Sequence, residues 1–277
     1  MAAWPDRAWL SWDRLVDAGA ILAVGAILVA IHAITTPAER RALALSHRTL
    51  QPVALLTAAY VHAGWEHLWV NVLSYVAGAG FAAYLCRLSG ERRWFWRTHL
   101  AFLLVLPVLV NLTDFAVFAV LYPSVERASL GFSGVVAGFG GYVFVIFLVL
   151  LGRVYSRDAV LFAGEFLLVV LAAEVYLIYA DGFSVVGIGI VLTGLLATAL
   201  ALLWQGTRSG YLRDRENWPE LGFYLADGAA ILLVLTGYVV GMFPAQLVQD
   251  GAFANIFAHA AGFAWGGVLA LLTWRLG

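Results

Sequence analysis

Three short stretches of the sequence hold side chains that could carry out nucleophilic or acid–base chemistry. The first contains His62, His67 and Asn71, the second contains Ser133, and the third contains His259. A serine hydroxyl becomes a strong nucleophile when an imidazole accepts its proton, and this pairing serves acyl transfer and hydrolysis. The residue types therefore predict a serine–histidine pair, with Ser133 as nucleophile and His259 as general base.

The residues around Ser133 suit the negative charge that develops on a carbonyl oxygen in such a reaction. Gly131 and Gly134 flank the serine and allow the backbone to approach a substrate closely. The serine stands at the predicted start of a helix, where free N–H groups and the positive end of the helix dipole favour an anion. His67 and Asn71 are four residues apart, so they share one helical face and could add side-chain donors.

Composition defines the environment in which these residues must work. Of the 277 residues, 63% are hydrophobic and 12% are charged, whereas soluble domains have about 45–50% apolar and about 25% charged residues. This composition excludes an ordinary water-soluble fold and a disordered chain. The net charge of -1 leaves no basic surface for nucleic acid. The single cysteine, Cys86, excludes a disulfide framework and a multi-cysteine metal site.

The hydropathy pattern predicts an all-α polytopic membrane protein. A membrane-spanning helix needs about 20 mostly apolar residues. The sequence predicts one transmembrane domain, residues 18–277, preceded by a cytoplasmic interfacial segment at 1–17. The eight predicted spans are 18–36, 66–86, 99–121, 131–151, 159–179, 184–204, 223–243 and 252–274.

Arginine placement predicts the orientation of these spans. With the N-terminus inside, twelve of the 16 arginines fall in predicted cytoplasmic segments, and the positive-inside rule favours this arrangement. We therefore expect a multi-pass protein of the cell membrane with both termini cytoplasmic. The same topology places His67, Ser133 and His259 near the outer ends of the second, fourth and eighth spans, at one common depth.

Glycines predict how the serine and the histidine meet. Gly262 and Gly266 form a small-xxx-small face on the last span, and Gly134 and Gly138 form a similar face on the fourth. Such faces let two membrane helices pack with their backbones close together. This contact would bring His259 against Ser133. Since no acid is placed to orient His259, the sequence predicts a catalytic dyad.

The three stretches together resemble the motifs of the rhomboid family of intramembrane serine proteases. The first stretch has the family's H-x4-H-x3-N pattern, Gly131–Gly134 has its GxSG pattern, and Ala258–Gly266 has its AHxxGxxxG pattern. The order of the motifs along the chain and their predicted outer location also match. The resemblance implies a rhomboid-like helical bundle with a six-helix core. The eight predicted spans then leave two additional helices, which would lie at its periphery.

The resemblance also implies an activity and a set of roles. The protein would be an intramembrane serine endopeptidase that cleaves transmembrane segments of single-span membrane proteins, with Ser133 and His259 as the dyad. His67, Asn71 and the Ser133 backbone N–H would form the oxyanion hole. The supporting residues would be Gly131, Gly134, His62, Gly262 and Gly266. The resemblance implies no metal or organic cofactor, and it leaves the oligomeric state open.

Three features depart from the family's pattern. The family core has one helix between the serine and histidine helices, whereas this sequence predicts three, with the extra pair somewhere in 159–243. Many members place an aromatic side chain four residues after the serine, stacked on the catalytic histidine, and this sequence has Ala137 there. The first outer loop reads Leu50–Val53 where the family often has a Trp-Arg pair. The last departure concerns contacts of the loop more than the chemistry.

Other interpretations stay open at this point. A non-proteolytic rhomboid-like protein that binds membrane clients would have the same fold, although the retained dyad favours the protease. A transporter could use Asp114, Glu165 and Glu174 in a proton relay, but the two halves of the chain show no repeat. A zinc protease is disfavoured because the HxxxEH stretch at 62–67 is one residue longer than the inverted zinc motif. We assign no functional role to His32, His47 and His99.

Overall fold

The computed structural model describes residues 11–123, 128–153, 157–179, 218–243, 248–249, 252–253 and 255–276, with scattered positions between 189 and 214. The chain forms two compact units, Met1–Phe132 and Ser133–Gly277. Regular structure in the described residues is almost entirely helical. The chain is therefore an all-α membrane protein, as its composition predicts.

The first unit is built from long helices joined by short helical turns. Its described elements are α1 (Trp12–Ile34), α2 (Pro37–Leu43), β1 (Leu45–Ser46), α3 (Ala54–Thr57), a 3-10 turn (Ala58–Tyr60), α4 (Trp65–Leu88), α5 (Arg92–Leu104), α6 (Leu106–Leu121) and β2 (Ala128–Ser129). The helix α1 packs against α4, and α2 begins with a capping box between Thr36 and Glu39. The strands β1 and β2 form a short antiparallel ribbon that the sequence did not predict.

The first helix begins at Trp12, six residues before the predicted span. The polar residue Asp17 lies on its buried side, 5% exposed. Its carboxylate accepts hydrogen bonds from Arg92 (Nη2, 2.7 Å), from Trp96 (Nε1, 3.1 Å) and from Arg87. These donors come from α4 and α5, and they satisfy an acid that would otherwise be costly to bury. Residues 12–17 of the predicted interfacial helix are therefore continuous with the first span in α1. Its residues 1–10 lie outside the described part.

The predicted third span is broken into two helices, α5 and α6, which meet at an angle of 44°. The cause is Pro107, in the first turn of α6, because proline has no N–H to donate to the carbonyl four residues earlier. That carbonyl belongs to Leu103, and the Tyr60 hydroxyl donates to it instead. Burial raises the pKa of Tyr60 to about 12, so the hydroxyl keeps its proton for this bond.

The second unit is arranged around one buried helix. Its described elements are α7 (Ser133–Gly152), α8 (Arg157–Tyr179), α9 (Trp218–Met242), β3 (Val248–Gln249), β4 (Ala252–Phe253) and α10 (Ile256–Arg275). Residues 134–146 of α7 are all buried. The helices α8, α9 and α10 each pack against α7, and α10 does so most extensively. Both helices that the structure describes between the serine and histidine helices therefore contact the serine helix.

Five helices among the described residues are long and apolar enough to cross a membrane: α1, α4, α7, α8 and α10. The bent pair α5 and α6 makes a sixth if it is one span. The predicted span 223–243 lies within α9 except for its last residue, Phe243. The predicted span 184–204 lies outside the described residues except for scattered positions. The chain has the helices of a multi-pass membrane protein, and the total of eight stays a prediction.

Candidate active site

The second unit brings Ser133 and His259 together through a close contact of α7 with α10. A Cβ added to Gly262 would lie 2.0 Å from the carbonyl oxygen of Gly134, and one added to Gly266 would lie 2.4 Å from that of Gly138. Both distances are far shorter than any real contact, so only glycine fits. The two helix backbones touch in the register that the glycine pattern predicts.

His259 occupies the first turn of α10, whose start is capped by Asn255. The Asn255 side chain accepts a hydrogen bond from the Ala258 N–H at 3.1 Å. His259 is 9% exposed, and its Nε2 lies 2.9 Å from Ser133 Oγ. This is hydrogen-bond distance for a nucleophile and its base. Ser133 is the first residue of α7, and the first N–H groups of a helix have no partner within it.

The other nitrogen of the His259 ring lies 2.5 Å from the backbone carbonyl oxygen of Met242. A carbonyl can only accept, so Nδ1 carries the proton and Nε2 is left as the acceptor that faces Ser133. The imidazole is thereby held in the tautomer that a general base needs. Sequence reasoning did not find this contact, because it is made by a backbone atom.

Position 137, where many rhomboid proteases have an aromatic residue, has a small side chain in this chain. Ala137 is buried on α7 and faces Gly262, since a Cβ on that glycine would lie 3.0 Å from the Ala137 side chain. An aromatic ring at position 137 would not fit against so close a helix. The ring of Phe243 instead stands edge-on to that of His259, with 6.4 Å between ring centroids and 90° between planes.

The GxSG loop begins in the first unit, where Gly131 is fixed in a conformation that favours glycine. Its φ is +122°, and a Cβ there would lie 2.6 Å from Cε1 of the His67 ring. The Gly131 N–H donates to the Ala58 carbonyl oxygen at 2.9 Å. Gly131 therefore combines a backbone conformation and a ring contact that exclude any side chain.

His62 anchors the next residue of the same loop. Its ring is fully buried, and its Nε2 accepts a hydrogen bond of 3.3 Å from the Phe132 N–H. Burial, with smaller contributions from the charges of His67 and His32, lowers the pKa of His62 to about 3. The ring is neutral at physiological pH, as acceptance of this hydrogen bond requires. This contact gives His62 a loop-anchoring position.

The two predicted oxyanion side chains lie on α4 in the first unit. The Asn71 amide donates to the backbone carbonyl of His67 at 2.7 Å, and Asn71 is buried. The rings of His62 and His67 are in contact, edge to face, with centroids 5.2 Å apart. The predicted oxyanion roles of His67 and Asn71 stay predictions.

Asp114 belongs to a buried cluster in the first unit. Its Oδ2 lies 3.0 Å from His47 Nε2 and accepts a hydrogen bond of 2.7 Å from Ser129. The His47 ring also stacks on Phe118, with centroids 4.0 Å apart. One turn earlier on the same face, Asn111 donates to the Leu55 carbonyl. Sequence reasoning singled out the acid but assigned no role to His47, because its partner lies 67 residues away.

The other two acids of the hypothetical proton relay, Glu165 and Glu174, belong to α8. Glu174 accepts a hydrogen bond of 2.7 Å from Thr236 on α9, which joins these two helices. Glu165 is on an exposed face of α8. Within the described residues, no three His, Cys, Asp or Glu side chains are grouped as a metal site would require.

The second unit thus contains a half-buried serine at a helix start, a buried histidine within hydrogen-bond distance of it, and a carbonyl that fixes the tautomer of that histidine. This arrangement can deprotonate the Ser133 hydroxyl and direct it at an electrophilic carbonyl carbon. Comparisons with protein-family models, with curated proteins and with solved structures find no match to this chain.

Proposed function

We propose that this protein is an intramembrane serine endopeptidase of the rhomboid type, which cleaves transmembrane segments of single-span membrane proteins. The observation that carries the proposal is the 2.9 Å contact between Ser133 Oγ and His259 Nε2 at the ends of two apolar helices. This part-buried contact pairs the two residue types that nucleophilic hydrolysis requires, at hydrogen-bond distance.

In the proposed reaction, His259 Nε2 takes the Ser133 proton while Oγ attacks the scissile carbonyl carbon. The resulting oxyanion is stabilised by the Ser133 backbone N–H at the start of α7, and by His67 and Asn71 as the family resemblance implies. The imidazolium then gives its proton to the leaving amine. Water attacks the acyl-enzyme with His259 again acting as base, and Ser133 is regenerated.

The proposed location follows from the same resemblance and from the arginine distribution. The enzyme would lie in the cell membrane with both termini cytoplasmic, and its dyad would open toward the outer surface, where water can reach the acyl-enzyme. Its partners would be the bilayer and substrates whose helix unwinds near that surface. No metal or organic cofactor takes part in the proposed reaction.

Fluorophosphonate labelling of the protein in lipid nanodiscs tests for an activated serine. We expect labelling of the wild type, none of Ser133→Ala, and a decrease of about a hundredfold or more in His259→Ala. Ser74→Ala, on α4, is the matched control and should label like the wild type. A panel of reconstituted single-span segments, analysed by mass spectrometry, then tests for cleavage.

The main alternative is a rhomboid-like protein that binds membrane clients without cleaving them. A folded wild type that is not labelled in several lipids, and that retains single-span segments intact, would support that alternative. Labelling that survives in Ser133→Ala would contradict the assignment of the nucleophile.

A further inference from the structure

The C-terminal end of α9 is in direct contact with the proposed base. Met242 is the last residue of α9, and its carbonyl oxygen lies 2.5 Å from His259 Nδ1. Neutral imidazole has one N–H, so this contact places the hydrogen on Nδ1 and leaves Nε2, which faces Ser133, as an acceptor. In serine proteases with a triad, a buried aspartate has this function.

The Met242 carbonyl is available because the helix ends there. The last four carbonyls of a helix have no partner within it, and the Phe243 N–H closes the final turn by donating to Val239 at 2.9 Å. The next residue, Pro244, biases Phe243 away from helical geometry. The carbonyl end of a helix also carries partial negative charge, which favours a nearby cation.

We propose that the end of α9 is the orienting element of the catalytic histidine, in place of an acidic side chain. The Met242 carbonyl holds the Nδ1–H tautomer, and the negative end of α9 stabilises the imidazolium that forms when Ser133 is deprotonated. Met242 is a positioning residue that acts through its backbone. This inference rests on the proposed dyad, and it makes α9 a requirement for catalysis.

Nitrogen-15 NMR of histidine-labelled protein tests the tautomer directly and needs no enzymatic activity. The His259 signals are assigned by their loss in His259→Gln. We expect a protonated Nδ1 and an unprotonated Nε2 near neutral pH. A dominant Nε2–H form in the wild type would overturn the proposal, whatever any variant does.

Phe243→Pro tests the carbonyl itself. Proline removes the N–H that bonds to Val239, and it forces Met242 out of helical geometry, which turns its carbonyl away from His259. We expect a mixture of tautomers and a decrease of about a hundredfold or more in the fluorophosphonate labelling rate. Phe243→Ala removes the same ring but keeps the backbone, so its labelling rate should fall only a few-fold.

The outcomes separate the two proposals. If the wild type has the Nδ1–H tautomer but is not labelled by the fluorophosphonate, the orienting contact is supported and the proposed protease function is contradicted. A Phe243→Pro variant that folds, keeps its labelling rate and keeps one tautomer overturns the orienting role. Equal losses in Phe243→Pro and Phe243→Ala would assign the effect to the ring and would also overturn it.

Discussion

At the scale of single residues, close contacts fix the backbone conformation of the loop before Ser133. Gly131 has a left-handed φ and lies against the His67 ring, while His62 accepts the N–H of the following residue. Each contact fixes backbone geometry immediately before Ser133 in the chain. Substitutions here should therefore affect activity as well as stability.

Gly131→Ala should inactivate the protein. The new methyl group would overlap the His67 ring and would also require an unfavourable φ, a combination that costs on the order of 1–3 kcal/mol or more. We expect a lower melting temperature and loss of fluorophosphonate labelling. Gly80→Ala on α4 is the control, because nothing lies within 4 Å of its added Cβ. Normal labelling of Gly131→Ala would show that the loop adjusts freely.

His62 should make the folded state sensitive to acid. Its pKa is about 3 in the folded protein and about 6.5 when unfolded. Below about pH 6.5 the unfolded chain binds a proton here that the folded chain does not, so the free energy of unfolding falls as the pH falls toward 3.

The measurement is thermal melting in detergent, near neutral pH and at about pH 4.5, with His62→Gln as comparison. Glutamine can still accept from the Phe132 N–H but does not titrate. Between these two pH values, we expect the melting temperature to fall further in the wild type than in the variant. The other buried histidines affect the melting temperature of both proteins alike. Equal decreases in the two proteins would therefore contradict the assignment of the acid sensitivity to His62.

At the scale of elements, the contact between α7 and α10 sets the distance between Ser133 and His259. Gly262→Ala should separate the helices, because its methyl group would overlap the Gly134 carbonyl, which cannot move aside as a side chain would. We expect loss of labelling and a destabilisation of about 1–3 kcal/mol, as for an overpacked core. Melting temperature and labelling rate report the two effects.

Gly267→Ala is the matched control for that substitution. It lies on the same helix, and the nearest atoms to its added Cβ are 3.7 Å away, an ordinary contact. We expect near-normal labelling and stability. If both variants lose labelling and stability, any methyl group on this helix is harmful. The contact of Gly262 with Gly134 would then not explain the effect.

At the scale of the whole molecule, the predicted orientation can be tested through the single cysteine. Cys86 is buried, so it gives little background to an impermeant maleimide. Thr49→Cys is exposed in a predicted outer segment and Arg93→Cys in a predicted cytoplasmic one. We expect the first to be labelled in intact cells and the second only after permeabilisation. The reverse pattern would contradict the positive-inside prediction.

The sequence predicted those features that depend on local patterns. The helices with the serine and histidine motifs begin near their predicted starts, at Ser133 and Ile256, and the spaced glycines predicted the contact between them. The early start of α1 was missed because Asp17 is satisfied by arginines 70 and 75 residues away. Hydropathy does not reveal the break at Pro107, because the bent pair α5 and α6 is apolar enough to be one span. Distant and backbone partners leave no local signature.

The glycine contact between α7 and α10 has a consequence for how activity is lost on heating. No layer of side chains separates the two backbones, and a gap of about 0.5–1 Å already forfeits about a quarter to a half of the attraction between atoms in contact. Slight loosening therefore weakens the whole interface. Ser133 and His259 lie at one end of it, so heat should abolish the proposed activity abruptly, over the same narrow temperature range in which the two helices separate.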